Sequence, residues 1–271
     1  MIGQVVHDTV ATALRQFERS DFVYPDLAPM AVQNLKIRLQ SSFHVANVVR
    51  SGKRPPSKEP VLLHHLDNGP CKITEIEAKK KVENHVRAFQ TSSAWEFLQK
   101  SDKKKWEPID TSTCTKPSIE ASKRIGFQRA FDLRVYTPYD LALRYSGDFI
   151  IVDWKTGKRS SQSLAKARKQ TVSYSLWALN HGISLENIRV QPYWLNDKEA
   201  WNPQAISRSE VRTVQEEIEA QDAAERALLR ITTDANGVKT FHANIDDFQA
   251  TPGWACKGCK FRSICPDRKE P

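Results

Sequence analysis

Residues 147–158, GDFIIVDWKTGK, decide the fold of this 271-residue chain. Their apolar run, Phe149–Val152, is bounded by a glycine before it and a TGK turn after it. Such a run is typical of a strand buried on both faces of a sheet. Side chains two apart on a strand point to the same face, so Asp153 and Lys155 are expected to project together into one site.

Helical patterns lie on both sides of this strand. Residues 3–19, about 31–49 and 74–100 carry apolar residues at three- and four-residue spacing, and 163–180 ends at a glycine stop. A possible capping box at Ser207–Glu210 opens a further helix to about Leu229. Other short strands are expected at 106–110, 119–122, 127–136, 145–155, 188–195 and 238–244.

The order of these elements predicts an α/β fold with a central mixed sheet flanked by helices. We expect residues 1–19 to form a core helix, 20–105 a helical insertion and 106–245 the main α/β core. Residues 246–271 would form a cysteine-bound tail.

Composition narrows the class of protein. The formal net charge is +9 with a pI near 9.3, which favours a polyanionic partner, nucleic acid first. Mean hydropathy is −0.56, and no apolar run reaches the length of a membrane span. The first residues lack the pattern of a signal peptide. The odd number of cysteines, 5, fits a cytoplasmic protein with a thiolate site better than a secreted disulfide framework.

Acidic residues near the buried strand suggest a metal site. Asp132 lies in AFDLRV, 21 residues before Asp153. Two carboxylates from adjacent strands can hold a divalent cation such as Mg²⁺, which prefers oxygen ligands. Lys155 could orient a water and stabilise charge on a phosphate. A salt bridge at the end of the strand would explain the same three residues without catalysis.

A second motif follows on the next helix. Gln170 and Tyr174 are four residues apart, so they share one helix face that can approach the same site. Gln170 could bond a nucleobase or a phosphate, and Tyr174 could support Lys155. For Tyr174 alone, ordinary packing between helix and sheet is the competing interpretation.

Together these motifs resemble the RecB-like branch of the PD-(D/E)XK nuclease superfamily over about residues 127–182. The resemblance implies a restriction-endonuclease-like fold and a metal-dependent nuclease core. It assigns Asp132, Asp153 and Lys155 to that core, with Gln170 and Tyr174 as the downstream motif.

The same resemblance implies a histidine on an upstream helix, in the pattern GxxxH. Gly3-Gln-Val-Val-His7 matches that pattern, and His85 is the rival. A histidine nitrogen can complete a metal shell, although a lone helical histidine is more often a surface or capping residue.

Three cysteines near the end of the chain form the pattern CxxCx5CP: Cys256, Cys259 and Cys265. Thiolates at such spacing select an iron–sulfur cluster or Zn²⁺, unless the thiols are free. The segment resembles the cluster motif of AddB-type nucleases and CRISPR-associated iron–sulfur exonucleases, which implies a [4Fe–4S] cluster. The fourth family cysteine precedes the GxxxH helix. We therefore expect a missing N-terminal segment, substitution by Cys114 in preference to Cys71, or a degenerate site.

The predicted function is metal-dependent hydrolysis of DNA phosphodiester bonds with Mg²⁺ or Mn²⁺. The resemblance favours an exonuclease that processes DNA ends, often single-stranded, in repair, recombination or defence. A helicase or other protein partner is compatible with the sequence, but the residues do not identify one. Two alternatives stay open: a non-catalytic DNA-binding or scaffold module that retains the fold, and a zinc-stabilised nucleic-acid-binding protein.

Overall fold

The computed structural model describes residues 1–52, 62, 73–106, 112–115, 135–197, 200–227, 229–233, 235, 237 and 239–243. Its helices are α1 (Ile2–Ser20), α2 (Ala28–Arg50), α3 (Glu75–Gln90), α4 (Ser93–Lys100), α5 (Ser161–Asn180) and α6 (Arg208–Ala227). Its strands are β1 (Ser112–Thr115), β2 (Val135–Pro138), β3 (Leu141–Tyr145), β4 (Asp148–Lys155), β5 (Ile188–Trp194), β6 (Gln204–Ala205), β7 (Leu229–Thr233) and β8 (Lys239–Ala243). Short 3-10 turns lie at Lys103–Lys105, Leu185–Asn187 and Leu195–Asp197.

Side-chain caps fix where several helices begin. Thr74 and Glu77 form a capping box at the start of α3, and Ser207 and Glu210 exchange the equivalent bonds before α6, as the sequence predicts. The prediction of one long helix at 74–100 is wrong, because this segment forms two helices, α3 and α4. Ser92 accepts a hydrogen bond from the Trp95 amide at 3.1 Å and so begins a new helix, α4.

The central sheet has four strands in the order β3-β4-β5-β6. The β3–β4 and β5–β6 pairs are antiparallel, and the β4–β5 pair is parallel with α5 as its crossover. The sheet is therefore mixed, and the predicted α/β fold with flanking helices is confirmed.

A hairpin turn corrects one predicted strand. Residues 145–155 do not form a single strand, because Ser146 and Gly147 both have positive φ, 49° and 88°. This left-handed pair is the geometry of a two-residue hairpin turn. Tyr145 therefore ends β3, a strand that the sequence analysis missed, and β4 begins at Asp148.

The sheet separates two hydrophobic cores, and β4 contributes to both. Ile150, Val152 and Trp154 face the core shared with α1, α2, α3 and α4. Phe149 and Ile151 face the core shared with α5 and α6. Alternate residues of a strand point to opposite faces, so burial of both sets explains the continuous apolar run in the sequence.

Two antiparallel ribbons, β1–β2 and β7–β8, complete the described strands. The predicted strand at 188–195 corresponds to β5, and that at 238–244 corresponds to β8. The helix predicted to reach Leu229 ends at Ala227, and Leu229 begins β7. Of the predicted strand at 106–110, Trp106 forms a single bridge to Leu143, and residues 107–110 lie outside the described residues. The predicted strand at 119–122 and residues 127–134 also lie outside them.

The proposed division into residues 1–19, 20–105, 106–245 and 246–271 remains a prediction. None of the helices within the described ranges is both long and apolar enough to cross a membrane.

Candidate active site

Asp153 and Lys155 lie on one face of β4, as their spacing predicts. Asp153 is buried, with 3% of its surface exposed, and its carboxylate forms an ion pair with the Lys155 ammonium. Both residues share the face of Phe149 and Ile151, which packs toward α5. This contact by itself is the strand-end salt bridge that the sequence analysis kept as the alternative to a metal site.

A second buried carboxylate, Asp140, changes that interpretation. The hairpin register pairs Leu141 with Val152, and the Asp140 amide donates to the Val152 carbonyl at 3.2 Å. Asp140 lies just before β3, close enough to Asp153 for its charge to act on that carboxyl. Asp140 is 8% exposed, and its Oδ2 accepts the Trp154 amide at 2.6 Å.

Sequence reasoning missed Asp140 and chose Asp132, which lies outside the described residues. The role of Asp132 therefore stays a prediction. One signal could have found Asp140: it precedes Asp153 by thirteen residues, with a Ser-Gly pair midway between them. Positions that flank a two-residue hairpin turn symmetrically become cross-strand partners.

His7 extends from α1 to this pair of carboxylates. Its Nδ1 lies 2.7 Å from Asp140 Oδ1. Gly3, one helical turn earlier, lies close to the loop after Lys155, because a Cβ at Gly3 would lie 3.1 Å from Thr156 Oγ1. Within the GxxxH pattern, the glycine thus permits close approach of the helix and the histidine contacts the site.

The rival histidine lies elsewhere. His85 is buried on α3, and its ring is hydrogen-bonded to Asn196, just after β5. Burial lowers the pKa of His85, the Asn196 bond opposes that shift, and the charge of Lys81 adds to it. The described contacts therefore bring His7, and not His85, to the carboxylates.

The downstream motif meets the lysine directly. Lys155 Nζ donates to Gln170 Oε1 at 2.6 Å, and the Gln170 amide nitrogen donates to the Tyr174 hydroxyl. Both side chains are on α5, on the helix face predicted from their four-residue spacing. Gln170 thus contacts the Lys155 ammonium directly, and Tyr174 supports it through Gln170.

The pKa values of Asp153 and His7 are shifted because two acidic groups, Asp140 and Asp153, are buried close together. Burial, followed by the negative charge of Asp140, raises the pKa of Asp153 from 3.8 to about 6, against the opposing effect of Lys155. Burial by itself lowers the pKa of His7, but its hydrogen bond to Asp140 and the charges of both carboxylates outweigh it. The pKa of His7 is therefore raised above 6.5.

Comparison with known families gives this geometry its context. The family model of the PD-(D/E)XK nuclease superfamily matches residues 2–266. The chain belongs to the PD-(D/E)XK nuclease superfamily. No curated protein and no solved structure matches the chain significantly. Membership in this superfamily supports phosphodiester hydrolysis as the reaction class and DNA as the substrate class.

PD-(D/E)XK nucleases typically use Mg²⁺ or Mn²⁺. The donor chemistry fits such a cation, because Asp140 and Asp153 bring two buried carboxylates close to each other. Within the described ranges, however, no group of three or more His, Cys, Asp or Glu side chains is arranged to hold a metal ion. The carboxylates are instead engaged by His7 and Lys155, so that binding a cation would require these contacts to rearrange.

The predicted cluster ligands Cys256, Cys259 and Cys265 lie outside the described residues, as does Cys71. The backbone of Cys114 lies in β1, opposite Tyr136 of β2. The predicted iron–sulfur or zinc site therefore remains a prediction.

Proposed function

We propose that this PD-(D/E)XK protein is a metal-dependent deoxyribonuclease whose catalytic carboxylates are Asp140 and Asp153. The observation that carries the proposal is that the β3–β4 hairpin brings Asp140, which bonds the Val152 carbonyl and the Trp154 amide, beside Asp153, which is paired with Lys155. Two like charges close together destabilise a fold, and burial increases the cost. A site that needs both charges for a cation gives a reason for keeping them together.

Each described side chain has a role in this proposal. Asp140 and Asp153 would hold Mg²⁺ or Mn²⁺, and His7 would complete the shell or fix the orientation of Asp140. When bound, the cation would stabilise negative charge on the scissile phosphate. Lys155 positions the attacking water and favours charge development at the phosphate.

Gln170 and Tyr174 act through Lys155. Their hydrogen bonds limit the conformations of a long side chain that otherwise has several rotatable bonds. Holding the ammonium in one place lowers the cost of reaching the reactive geometry. We therefore class both as positioning residues.

The finer assignment rests on sequence motifs. The DWK strand, the QxxxY helix and the GxxxH helix support the RecB-like branch. That branch favours an exonuclease that processes DNA ends, including single-stranded ends, in repair, recombination or defence. Cytoplasmic location is supported by the cysteine content alone.

The tail is proposed to carry a [4Fe–4S] cluster on Cys256, Cys259 and Cys265, with Cys114 as the fourth ligand. The support is the CxxCx5CP spacing and the resemblance to AddB-type and CRISPR-associated nucleases. Zn²⁺ at the same thiolates is the alternative occupant.

Cleavage of end-labelled DNA tests the nuclease proposal. We expect the parent protein to degrade single- or double-stranded oligonucleotides with Mg²⁺ or Mn²⁺, and EDTA to stop the reaction. Lys155→Ala should abolish cleavage while DNA affinity stays within a few-fold, because the carboxylates and the other basic residues remain. Lys100→Ala is the matched control, since Lys100 lies on α4 in an ion pair with Glu96.

Two results would contradict this assignment. Turnover retained by Lys155→Ala would remove Lys155 from the chemistry. Binding of DNA by the parent without any cleavage would favour the non-catalytic DNA-binding module instead.

A further inference from the structure

We propose that Lys158 and Lys166 form a binding site for backbone phosphates of the nucleic-acid strand, directly beside the catalytic lysine. The inference rests on the proposed function, because it assumes a nucleic-acid substrate at Lys155. In this proposal, the nucleic-acid strand runs from the scissile phosphate along the start of α5.

Charge is concentrated in one continuous segment. Residues 155–180 contain no Asp or Glu and six Lys or Arg residues. These six are Lys155, Lys158, Arg159, Lys166, Arg168 and Lys169. A segment with one sign of charge, beginning at the active site, is the electrostatic pattern expected of a phosphate-binding surface.

Four of the six cations are already engaged. Lys155 contacts Asp153 and Gln170, and Arg159 lies over the Trp194 ring at 5.5 Å. On α5, Arg168 Nε bonds Glu210 at 2.9 Å, and Lys169 forms an ion pair with Glu217. Both glutamates belong to α6, so that these two cations serve to fasten α5 to α6.

Lys158 and Lys166 differ from these four. Both are exposed, and within the part of the chain that the structure describes neither has a carboxylate at ion-pair distance. The remaining positive charge of the segment is therefore left for solvent or a ligand at these two positions.

Helix geometry places Lys166 beside the site. Lys166 and Gln170 are four residues apart, so they lie on the same face of α5. Gln170 bonds Lys155, and one helical turn is about 5.4 Å. Since successive phosphates of a duplex strand rise about 3.4 Å, Lys166 lies within reach of a phosphate one or two nucleotides from the scissile bond.

The loop before α5 holds Lys158 in a defined place. Ser163 Oγ donates to the Lys158 carbonyl at 3.0 Å, and Ser160 accepts the Ser163 amide at 3.1 Å as the helix cap. The cap uses an amide at the start of α5, so the two lysine side chains, and not the helix terminus, supply the binding groups.

Salt dependence of binding tests this proposal. The affinity of the full chain for a labelled single-stranded oligonucleotide would be measured in EDTA, so that no cleavage occurs, at several salt concentrations between about 50 and 200 mM. Each phosphate contact adds about 0.7 to the slope of log affinity against log salt for single strands. We expect Lys158→Ala and Lys166→Ala each to lower the slope by about that amount.

Matched variants make the result specific. Lys169→Ala, which removes a cation paired with Glu217, should leave the slope unchanged, and Lys166→Arg should retain it. Replacing single phosphates by neutral methylphosphonates should weaken binding of the parent at one position, and Lys166→Ala should be insensitive to replacement at that position.

The outcomes separate this inference from the proposed function. If the parent cleaves DNA but Lys158→Ala, Lys166→Ala and Lys169→Ala all bind with the parental slope, the phosphate site is wrong and the nuclease stands. If the slope depends on Lys158 and Lys166 but the parent never cleaves, the nuclease proposal fails and the binding site stands. A parent that does not bind nucleic acid overturns both.

Discussion

Asp140 lies beside Asp153, because its carboxylate accepts the Trp154 amide and its own amide bonds the Val152 carbonyl, and both aspartates are buried. The backbone register enforces this proximity, because β3 and β4 are paired from Leu141–Val152 to Tyr145–Asp148. The structure balances the two charges with a histidine from α1 on one carboxylate and a lysine from β4 on the other. The two carboxylates therefore behave as one electrostatic unit.

The first prediction is that Asp140 is the carboxylate that acts together with Asp153. Asp140→Asn should abolish cleavage and reduce Mn²⁺ affinity by at least tenfold, because it removes a charged oxygen donor beside Asp153. Asp132→Asn is the parallel variant, because Asp132 is the residue assigned from the sequence. Calorimetric titration of Mn²⁺ and the cleavage assay measure the two effects. Loss of metal binding in Asp132→Asn but not in Asp140→Asn would restore the assignment made from sequence.

The pKa of Asp153 predicts how the metal-free protein responds to pH. A carboxyl whose pKa is about 6 when folded and about 3.8 when unfolded binds its proton more tightly in the folded state. Its contribution to the free energy of unfolding is complete below pH 4 and is lost as pH rises through 6. In EDTA, the melting temperature of Asp153→Asn should therefore rise relative to that of the parent as the pH is increased from 4 to 7.

The same titration should appear in metal binding. Protons compete with the cation for Asp153, so the affinity for Mn²⁺ should rise as pH increases through about 6. Asp8→Asn serves as a control, because Asp8 lies on α1 and is paired with Arg38. A parent whose Mn²⁺ affinity is flat from pH 5 to pH 7 would contradict the proposed role of Asp153.

Gly3 offers a test of how α1 is positioned. In Gly3→Ala, the new methyl group would lie 3.1 Å from Thr156 Oγ1, and one of the two segments must shift. Cleavage should fall several-fold, while the melting temperature stays nearly constant because alanine favours a helix over glycine by up to about 1 kcal/mol. Adding Thr156→Ala removes the crowded oxygen and should restore activity. Full activity in Gly3→Ala alone would show that this contact is unimportant.

The cysteine tail gives the last prediction. Anaerobically purified protein should contain iron and sulfide and absorb at roughly 400 nm, as a thiolate-bound cluster does. Cys259→Ser should lose the metal, lower the melting temperature and increase protease sensitivity of the last twenty residues. Cys114→Ser should weaken the cluster and Cys71→Ser should not. Zinc without iron would favour Zn²⁺ as the occupant. A protein that contains neither iron nor zinc would refute the metal site.

The sequence by itself was sufficient for the local features of this protein. The apolar run of β4 predicts a strand buried on both faces, and the two-residue spacing predicts the shared face of Asp153 and Lys155. The four-residue spacing of Gln170 and Tyr174 likewise predicts one face of α5. Periodicity determines these relationships, because neighbouring residues in one element keep a constant geometry.

Only the tertiary structure decided which distant residues join them. Asp140 meets Asp153 because of the turn at Ser146–Gly147, and His7 reaches Asp140 through the packing of α1. Several acidic residues precede β4 in the sequence, and the pattern favours Asp132 because it lies in an apparent strand. Strand register and helix packing depend on how turns and cores close in three dimensions, and no local pattern of residues specifies that closure by itself.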